Sequence, residues 1–293
     1  MSNWCRTKRD WKIRTVLTVI VFLGFTIACL SAENSVKGKT IEAVDKKLPI
    51  PGEVFNVDGH TAFLISPKQK TSDEKTPWVW YAPTLPGLPG PEEIWMFERF
   101  LNGGIAIAGI DVDESYGNPR GRAFYSALYE ELVINRGFSK KATLLARSRG
   151  GLMLYNWAAE HPASVACIAG IYPVCNLASY PGLKIAAVAY GMTEAHLKTD
   201  LAKHNPMDHL EGLAKEHVPI FHIHGDSDTV VPLEMNSGEL AKRYRQLGGE
   251  ITLVVPKGQG HNMWQGFFEC QELVDFVLTH ARVDSPSATQ TSE

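Results

Sequence analysis

Short apolar runs alternate along the chain with longer segments that have the length of helices. The runs are rich in β-branched and aromatic residues, and most contain no polar alternation. Continuous apolar runs of this length are typical of strands that are buried on both faces of a sheet. They predict strands at 61–65, 78–82, 105–110, 142–146, 165–171, 218–223 and 251–255.

Helix-length segments separate these runs. Pro91 suits the first turn of a helix and Gly103-Gly104 ends it, so one helix is expected at 91–102. Further helices are predicted at 120–136, 150–160, 232–247 and 266–280. Strands that alternate with helices predict an α/β fold with a mostly parallel sheet and helices on both faces. Residues 172–217 do not follow this alternation, and we expect a cap-like insertion there.

The first 32 residues have a composition of their own. Basic residues precede an apolar stretch at 16–30, and the small residues Ser31 and Ala32 follow it. This order is typical of a secretory signal peptide, so we expect export to the periplasm or the extracellular space. One alternative is an uncleaved anchor, with a membrane tether through residues 15–32 and the folded domain outside the cytoplasm. A second alternative is a lipoprotein signal that ends at Cys29.

The remaining chain divides into three parts. Residues 33–53 are polar and predict an irregular lead-in, and the Ser/Thr-rich residues 282–293 predict a flexible tail. Between them, residues 54–281 carry the alternating strands and helices and are expected to form one domain.

Charge and motif content exclude several functions. Acidic residues slightly outnumber basic ones, 32 to 29, whereas nucleic-acid binders have a basic excess, so no nucleic-acid partner is expected. Neither a phosphate-binding loop nor a dinucleotide fingerprint is present, and no cofactor is expected. His222 and His224 lie two apart on a predicted strand and share a face, but no third ligand is evident. We therefore expect no metal site.

A candidate nucleophile lies between a predicted strand and a predicted helix. Ser148 occupies the centre of residues 146–151, where a sharp turn would push its hydroxyl out of the sheet. Such a turn requires small residues two positions before and after the serine, and Ala146 and Gly150 meet this requirement. The alternative interpretation is a serine that caps the following helix.

Two later loops supply a candidate acid and a candidate base. Residues 222–232 follow the next-to-last predicted strand and contain both Asp226 and Asp228, either of which has the right chemistry to orient a histidine. His261 lies 33 residues after Asp228, in a glycine-flanked loop that follows the last predicted strand. The alternative for the aspartates is a simple turn.

The order Ser148, Asp228, His261 resembles that of the α/β-hydrolase superfamily. The stretch 224–232 looks like the acid loop of its prolyl-oligopeptidase-like and esterase branches. This resemblance, which covers about residues 54–281, implies that Asp228 is the triad acid and that Asp226 shapes the loop. It also implies a serine hydrolase with a Ser-His-Asp triad.

The superfamily pattern implies an oxyanion hole as well. The backbone N–H of Arg149, directly after the nucleophile, is the first expected donor. The second is expected from the loop after strand 78–82, where Thr84 is preferred to Leu85. Tyr81 offers a phenol donor as a further alternative.

Three more residues are candidates for contact with substrate. Arg147 precedes the nucleophile, Tyr116 lies in a loop expected at the site rim, and Trp264 follows His261. The Ser148-Arg149 pair also resembles that of the glucuronoyl esterases, although their flanking Gly and Lys are absent. The structural alternative is that both arginines bind loop carboxylates such as Asp111 or Asp113.

We predict an enzyme that cleaves carboxylic esters through an acyl-enzyme, with a small-molecule or saccharide ester as its substrate. A serine peptidase that uses the same residues is the nearest rival. Peptidases of this branch usually carry a large N-terminal propeller, and the short lead-in before the first predicted strand favours the esterase. A non-catalytic binding protein on the same fold is the third hypothesis.

Overall fold

The computed structural model describes residues 46–68 and 75–282. The predicted signal peptide at 1–32, the tether at 15–32, the first part of the lead-in and residues 283–293 of the tail lie outside the described residues. Within the described part of the chain, no helix is long and apolar enough to cross a bilayer.

Eight strands form one sheet in the order β1-β2-β4-β3-β5-β6-β7-β8. The six strands β4, β3, β5, β6, β7 and β8 run parallel to one another. Strands β1 and β2 are antiparallel to each other, and β2 is antiparallel to β4. The mostly parallel sheet predicted from the sequence is therefore confirmed. The strands are β1 Glu53–Val57, β2 His60–Ile65, β3 Trp78–Tyr81, β4 Ala106–Ile110, β5 Ala142–Arg147, β6 Val165–Ile171, β7 Ile220–Ile223 and β8 Ile251–Val254.

Strand β1 is missing from the sequence prediction, which placed its first residue in the lead-in. It pairs with β2 through a hairpin whose two turn residues, Asp58 and Gly59, both have positive φ, at 48° and 85°. An Asp-Gly dipeptide favours this type of two-residue turn, because both residues tolerate a left-handed backbone. The dipeptide was the available signal for the hairpin.

Both faces of the sheet are covered. In β3, Trp78 and Trp80 pack into a cluster with the helices Pro119–Glu130, Gly150–Glu160 and Ser237–Gln246. Val79 and Tyr81 point to the other face and pack with the first and last helices. All four side chains are buried, which explains why this strand shows no polar alternation.

The helices lie at the predicted positions, and residues 150–160 match the prediction. The predicted helix 120–136 is an α-helix to Glu130 and continues as a π-helix over Glu131–Asn135. The second helix starts at Pro119 because the Asn118 side chain accepts a hydrogen bond from the Gly121 N–H, at 2.7 Å. The predicted helix 232–247 is interrupted at Asn236, whose side chain binds the Cys175 N–H and the Pro232 carbonyl instead. The helices are α1 Ile94–Asn102, α2 Pro119–Glu130, α3 Gly150–Glu160, α4 Leu183–Ala189, α5 Glu194–Thr199, α6 Leu201–His204, α7 Glu211–Lys215, α8 Ser237–Gln246, α9 Gln265–Phe268 and α10 Gln271–His280.

Residues 172–217 contain the short helices α4 to α7 and lie between β6 and β7. Their apolar side chains form a cluster with Tyr116, Leu152 and Val231. The Asn118 amide donates to the Ala189 carbonyl at 2.6 Å, which joins this segment to the start of α2. The insertion therefore packs beside the carboxyl ends of the strands, where sites of open α/β sheets lie.

Candidate active site

Ser148 occupies a strained turn between β5 and α3. Its φ of 47° lies in the left-handed region, which is costly for a residue with a side chain. The turn is held by the backbone: the Ser148 N–H donates to the Ile171 carbonyl at 3.0 Å, and the Ser148 carbonyl accepts from Gly151 and Val174 at 2.9 and 2.8 Å. Surrounding structure thus maintains a conformation that presents the serine side chain.

The neighbours of Ser148 are small because other backbone approaches closely. A Cβ added at Gly150 would lie 3.2 Å from both the carbonyl oxygen and the Cβ of Ala82. At Gly151 it would lie 2.4 Å from the Val174 carbonyl, closer than atoms can pack. Ala146, two residues before the serine, is fully buried. Only small residues fit on both sides of this turn.

Three side chains form a continuous hydrogen-bonded chain at the carboxyl ends of the parallel strands. Ser148 Oγ lies 2.9 Å from His261 Nε2, and His261 Nδ1 lies 2.8 Å from Asp228 Oδ2. His261 is thereby oriented with Nδ1–H toward the carboxylate and with Nε2 free to accept the serine proton. This is the arrangement in which a histidine activates a serine hydroxyl as a nucleophile.

The two aspartates of the acid loop have different surroundings. Asp228 is buried, and its Oδ1 accepts hydrogen bonds from the Val230 and Val231 amides at 3.0 and 2.8 Å. Burial alone would raise its pKa, but hydrogen bonds from His224, His261 and the Val231 amide hold the pKa well below its usual range. Asp228 therefore stays ionised beside His261.

Asp226 is exposed and bonds to neighbouring loop groups. Its Oδ1 accepts the Gly258 N–H at 2.6 Å and the Ser227 hydroxyl at 2.9 Å. The bond from Gly258 joins the acid loop to the loop that carries His261, so Asp226 shapes the turn as the resemblance implied.

Tyr172 supports His261 from another side. Its ring centroid lies 4.3 Å from that of His261, and its own φ is 37°. Burial raises the pKa of Tyr172 to about 12, against the opposing charge of Arg147, so the phenol stays neutral. Tyr172 is not identifiable from the sequence, because it lies after β6 without any motif of its own.

The expected oxyanion donors lie around the nucleophile turn. Thr84 is largely buried, and its methyl carbon lies 3.9 Å from the position of a Cβ on Gly150. It also lines a cleft of about 310 Å³ together with Leu85. The Tyr81 alternative is wrong: its hydroxyl is buried and donates to Glu93 at 3.0 Å, on the opposite face from α3. Arg149 N–H and Thr84 N–H remain the predicted donors.

The arginines on either side of Ser148 are each paired with a carboxylate. Arg147 forms an ion pair with the fully buried Glu93, and Arg149 forms one with Glu114. The partners suggested from the sequence, Asp111 and Asp113, are wrong. Asp111 instead forms an ion pair with Lys46, at 2.8 Å.

The remaining candidates for substrate contact differ in exposure. Tyr116 is 8% exposed, and its carbonyl accepts the Tyr190 hydroxyl at 3.1 Å, so it belongs mainly to the packing of the insertion. Trp264 is 41% exposed and lies edge-on to Phe267, with ring centroids 5.3 Å apart. Of the two, only Trp264 offers substantial surface to a substrate.

His222 and His224 share a face, as predicted, and both bind Ser237. His222 Nδ1 lies 3.0 Å and His224 Nδ1 lies 2.8 Å from the Ser237 hydroxyl. Among residues 46–68 and 75–282, no group of three or more His, Cys, Asp or Glu side chains could hold a metal ion. Cys167, Cys175 and Cys270 are free thiols in this part of the chain.

Sheet order, covering helices and the Ser-His-Asp arrangement define an α/β-hydrolase with the geometry of a serine hydrolase. The chain belongs to the prolyl oligopeptidase family, which matches residues 127–282 and so includes all three of these residues. No curated protein matches the sequence significantly.

Solved structures with the same fold include both peptidases and an esterase. A puromycin-hydrolysing peptidase of Mycobacterium tuberculosis superposes with a TM-score of 0.63 and 14% identity, over 80% of this chain and 41% of its own. MPT51 of M. tuberculosis gives 0.63 and 16% identity, over 80% and 100%. A truncated carbohydrate esterase from gut microbiota gives 0.63 and 14%, over 79% and 96%. The chain thus spans less than half of the peptidase.

Proposed function

We propose that this protein hydrolyses carboxylic esters through an acyl-enzyme on Ser148. The observation that carries the proposal is the hydrogen-bonded chain from Ser148 Oγ through His261 to Asp228, with contacts of 2.9 and 2.8 Å. His261 takes the serine proton while the oxygen attacks the ester carbonyl. The same proton then goes to the departing alkoxide, and a water repeats the sequence to release the acid.

The surroundings of the serine support an acyl group with apolar surface. Leu85, Val230, Met263 and Trp264 belong to the loops that carry the expected oxyanion donor, the acid and the base, and each is 41–52% exposed. Large apolar side chains exposed together around a reactive group are typical of a ligand-binding surface. The carbohydrate-derived esters expected from the sequence fit this surface when an aromatic or alkyl acyl group is the part that binds.

The second candidate is a peptidase. The family match favours it, because the family is named for oligopeptidases, and the triad chemistry is the same for an amide. An amide differs in its leaving nitrogen, which must be protonated before it departs. The structural relatives include both activities, so the scissile bond has to be decided by experiment.

The test begins with labelling by a fluorophosphonate, which reacts only with an activated serine. We expect the wild type to be labelled and Ser148→Ala to be unlabelled and inactive. Loss of a triad nucleophile lowers kcat by roughly four to six orders of magnitude. A Ser148→Ala protein that retains a tenth of the activity would eliminate the proposal, and an unlabelled, inactive wild type would favour a binding protein.

Substrate class is then decided by pairs that share one acyl group, for example an acetyl, feruloyl, uronoyl or short-chain acyl group on either an alcohol or an amine. We expect the ratio of kcat/KM for the ester to kcat/KM for the amide to be far larger than the ratio of their uncatalysed hydrolysis rates. An amide preferred after this correction would assign the protein to the peptidases.

A further inference from the structure

A buried polar network continues from the catalytic aspartate into the interior. His224 Nε2 lies 3.3 Å from Asp228 Oδ2, the same oxygen that accepts from His261 Nδ1. His224 Nε2 also lies 2.8 Å from the Val231 carbonyl. Behind His224, Ser237 and His222 extend the network to the Tyr155 hydroxyl, 2.7 Å from His222 Nε2.

Every member of this network is excluded from solvent. His222, His224 and Ser237 are completely buried, and Tyr155 is 1% exposed. Buried polar groups of this kind must satisfy one another, because an unpaired one loses its hydration without compensation. The hydrogen-bond directions therefore follow from the groups at the two ends of the network, the Val231 carbonyl and the Tyr155 hydroxyl.

The Val231 carbonyl can only accept, so His224 carries its proton on Nε2. In a neutral imidazole Nδ1 then accepts, and the Ser237 hydroxyl must donate to it. Ser237 has no second proton, so its oxygen accepts from His222 Nδ1–H. His222 Nε2 finally accepts the proton of Tyr155. One direction satisfies all four groups.

This direction leaves one N–H on His224 Nε2, which is shared between the Val231 carbonyl at 2.8 Å and the triad carboxylate at 3.3 Å. Asp228 then accepts the Val230 and Val231 amides on Oδ1 and His261 on Oδ2, and the shared His224 N–H adds a longer contact to Oδ2. Two oxygens of a carboxylate accept about four hydrogen bonds in all, and these four contacts occupy both oxygens of Asp228. A carboxylate held in this way cannot turn away from His261 without losing a contact.

We propose that His224 is a positioning residue of the active site. Its Nε2–H holds the Asp228 carboxylate toward His261, and Ser237 with His222 behind it fixes the His224 tautomer that makes this contact possible. The proposal rests on the proposed function, because it assigns His224 an effect on Ser148-dependent hydrolysis.

Two substitutions of similar size test whether the Nε2–H of His224 is required, or only a polar side chain at this position. In His224→Gln the side-chain amide can place an N–H near the position of Nε2. In His224→Asn the shorter amide reaches the position of Nδ1 and leaves Asp228 without this donor. A third variant, Ser237→Ala, leaves His224 in place but removes the group that fixes its tautomer.

We expect His224→Asn to lower kcat by about 10- to 100-fold with little change in KM, which corresponds to one hydrogen bond to a charged group. His224→Gln should recover most of the loss, and Ser237→Ala should give an intermediate loss. Tyr125→Phe, which removes a buried hydroxyl that is bonded to Met153 and does not belong to this network, is the control and should retain wild-type kcat.

The pH profile provides a readout that general destabilisation does not produce. His261 faces Asp228, the Ser148 hydroxyl and Tyr172, with Arg147 behind Tyr172 and His224 behind Asp228. Without the His224 donor, more negative charge remains on Oδ2 and the imidazolium of His261 is stabilised. The acid limb of kcat/KM should therefore move to higher pH in His224→Asn.

The proposal is overturned if His224→Asn keeps the wild-type kcat and pH profile, or if His224→Gln is as impaired as His224→Asn when both are folded. Circular dichroism verifies that each variant is folded, independently of its activity. If His224→Asn does not fold, Ser237→Ala decides, and an unchanged kcat and profile in that variant overturns the proposal. Activity that survives Ser148→Ala would instead refute the proposed function itself.

Discussion

The guanidinium of Arg147 is paired with the carboxylate of Glu93, whose side chain is completely buried. Glu93 also accepts the Tyr81 hydroxyl and the Gly90 N–H, at 3.0 and 2.8 Å. The residue directly before the nucleophile is thus bound to the face of the sheet that α1 covers. The charge of Arg147 is compensated inside the protein, and the ion pair with Glu93 helps to hold the turn at Ser148 in place.

Arg147→Met should strongly destabilise the protein. The change leaves the buried Glu93 carboxylate without its counter-charge, which typically costs about 3–5 kcal/mol. Lys203→Met is the control, because Lys203 pairs with Asp200 on the surface and is 71% exposed, so about 0–1 kcal/mol is expected. Denaturant unfolding measures both.

A double substitution checks the physical reason. Arg147→Met combined with Glu93→Gln removes both charges and should be more stable than Arg147→Met alone. A double variant that is less stable than the single one would mean that packing, not charge, dominates at Arg147.

Asp228→Asn should be far more damaging to turnover than Asp226→Asn. Asp228 accepts the proton-bearing nitrogen of His261, whereas Asp226 binds Gly258 and Ser227. An amide at position 228 favours the wrong tautomer of His261 and is expected to lower kcat by about ten-thousandfold. Circular dichroism would verify that both variants are folded. Similar losses of kcat in two folded variants would show that Asp228 is not the triad acid.

Glu114→Gln should create a preference for anionic esters that the wild type lacks. Arg149 is paired with Glu114, so we expect the wild type to treat two esters alike when they differ only by a carboxylate or a neutral amide near the scissile bond. Removing the Glu114 charge frees Arg149 to bind the carboxylate. The ratio of kcat/KM for the two esters is the measurement, and Arg149→Met added to Glu114→Gln should abolish the preference. A wild type that already prefers the anionic ester would assign Arg149 to substrate binding.

Stability should decline as the pH falls below about 6.5. Burial, with a smaller contribution from His224, lowers the pKa of His222 from 6.5 to about 3. Between these values the unfolded chain binds a proton that the folded protein excludes, so the free energy of unfolding rises with pH in that window and falls on acidification. One histidine contributes a slope of up to about 1.4 kcal/mol per pH unit.

Denaturant unfolding between pH 4.5 and 7 measures this slope. His222→Phe should flatten it, whatever the change in absolute stability. His196→Gln should leave it unaltered, because the His196 side chain is 62% exposed. A slope that His222→Phe does not reduce would contradict the neutral, buried state of His222.

Local patterns in the sequence determined most of the strands and helices of this protein. Apolar runs such as 105–110 are visible because a strand buried on both faces needs apolar side chains at every position. The turn at Ser148 is visible for a similar reason, since its small neighbours are required by close backbone contacts at Gly150. Loops that follow the last strands identified Asp228 and His261 because parallel strands end at one edge of a sheet, where these side chains meet.

Tertiary structure alone decided which groups satisfy one another. Glu93 lies 54 residues from Arg147 in the chain, and a carboxylate at that distance leaves no mark on the pattern around the serine. The same holds for Ser237, which looks like an ordinary first residue of α8 but joins His222 to His224 inside the core. Spacing reflects the periodicity of one element at a time. Hydrogen bonds and ion pairs between elements depend on how the elements pack, which the three-dimensional fold determines.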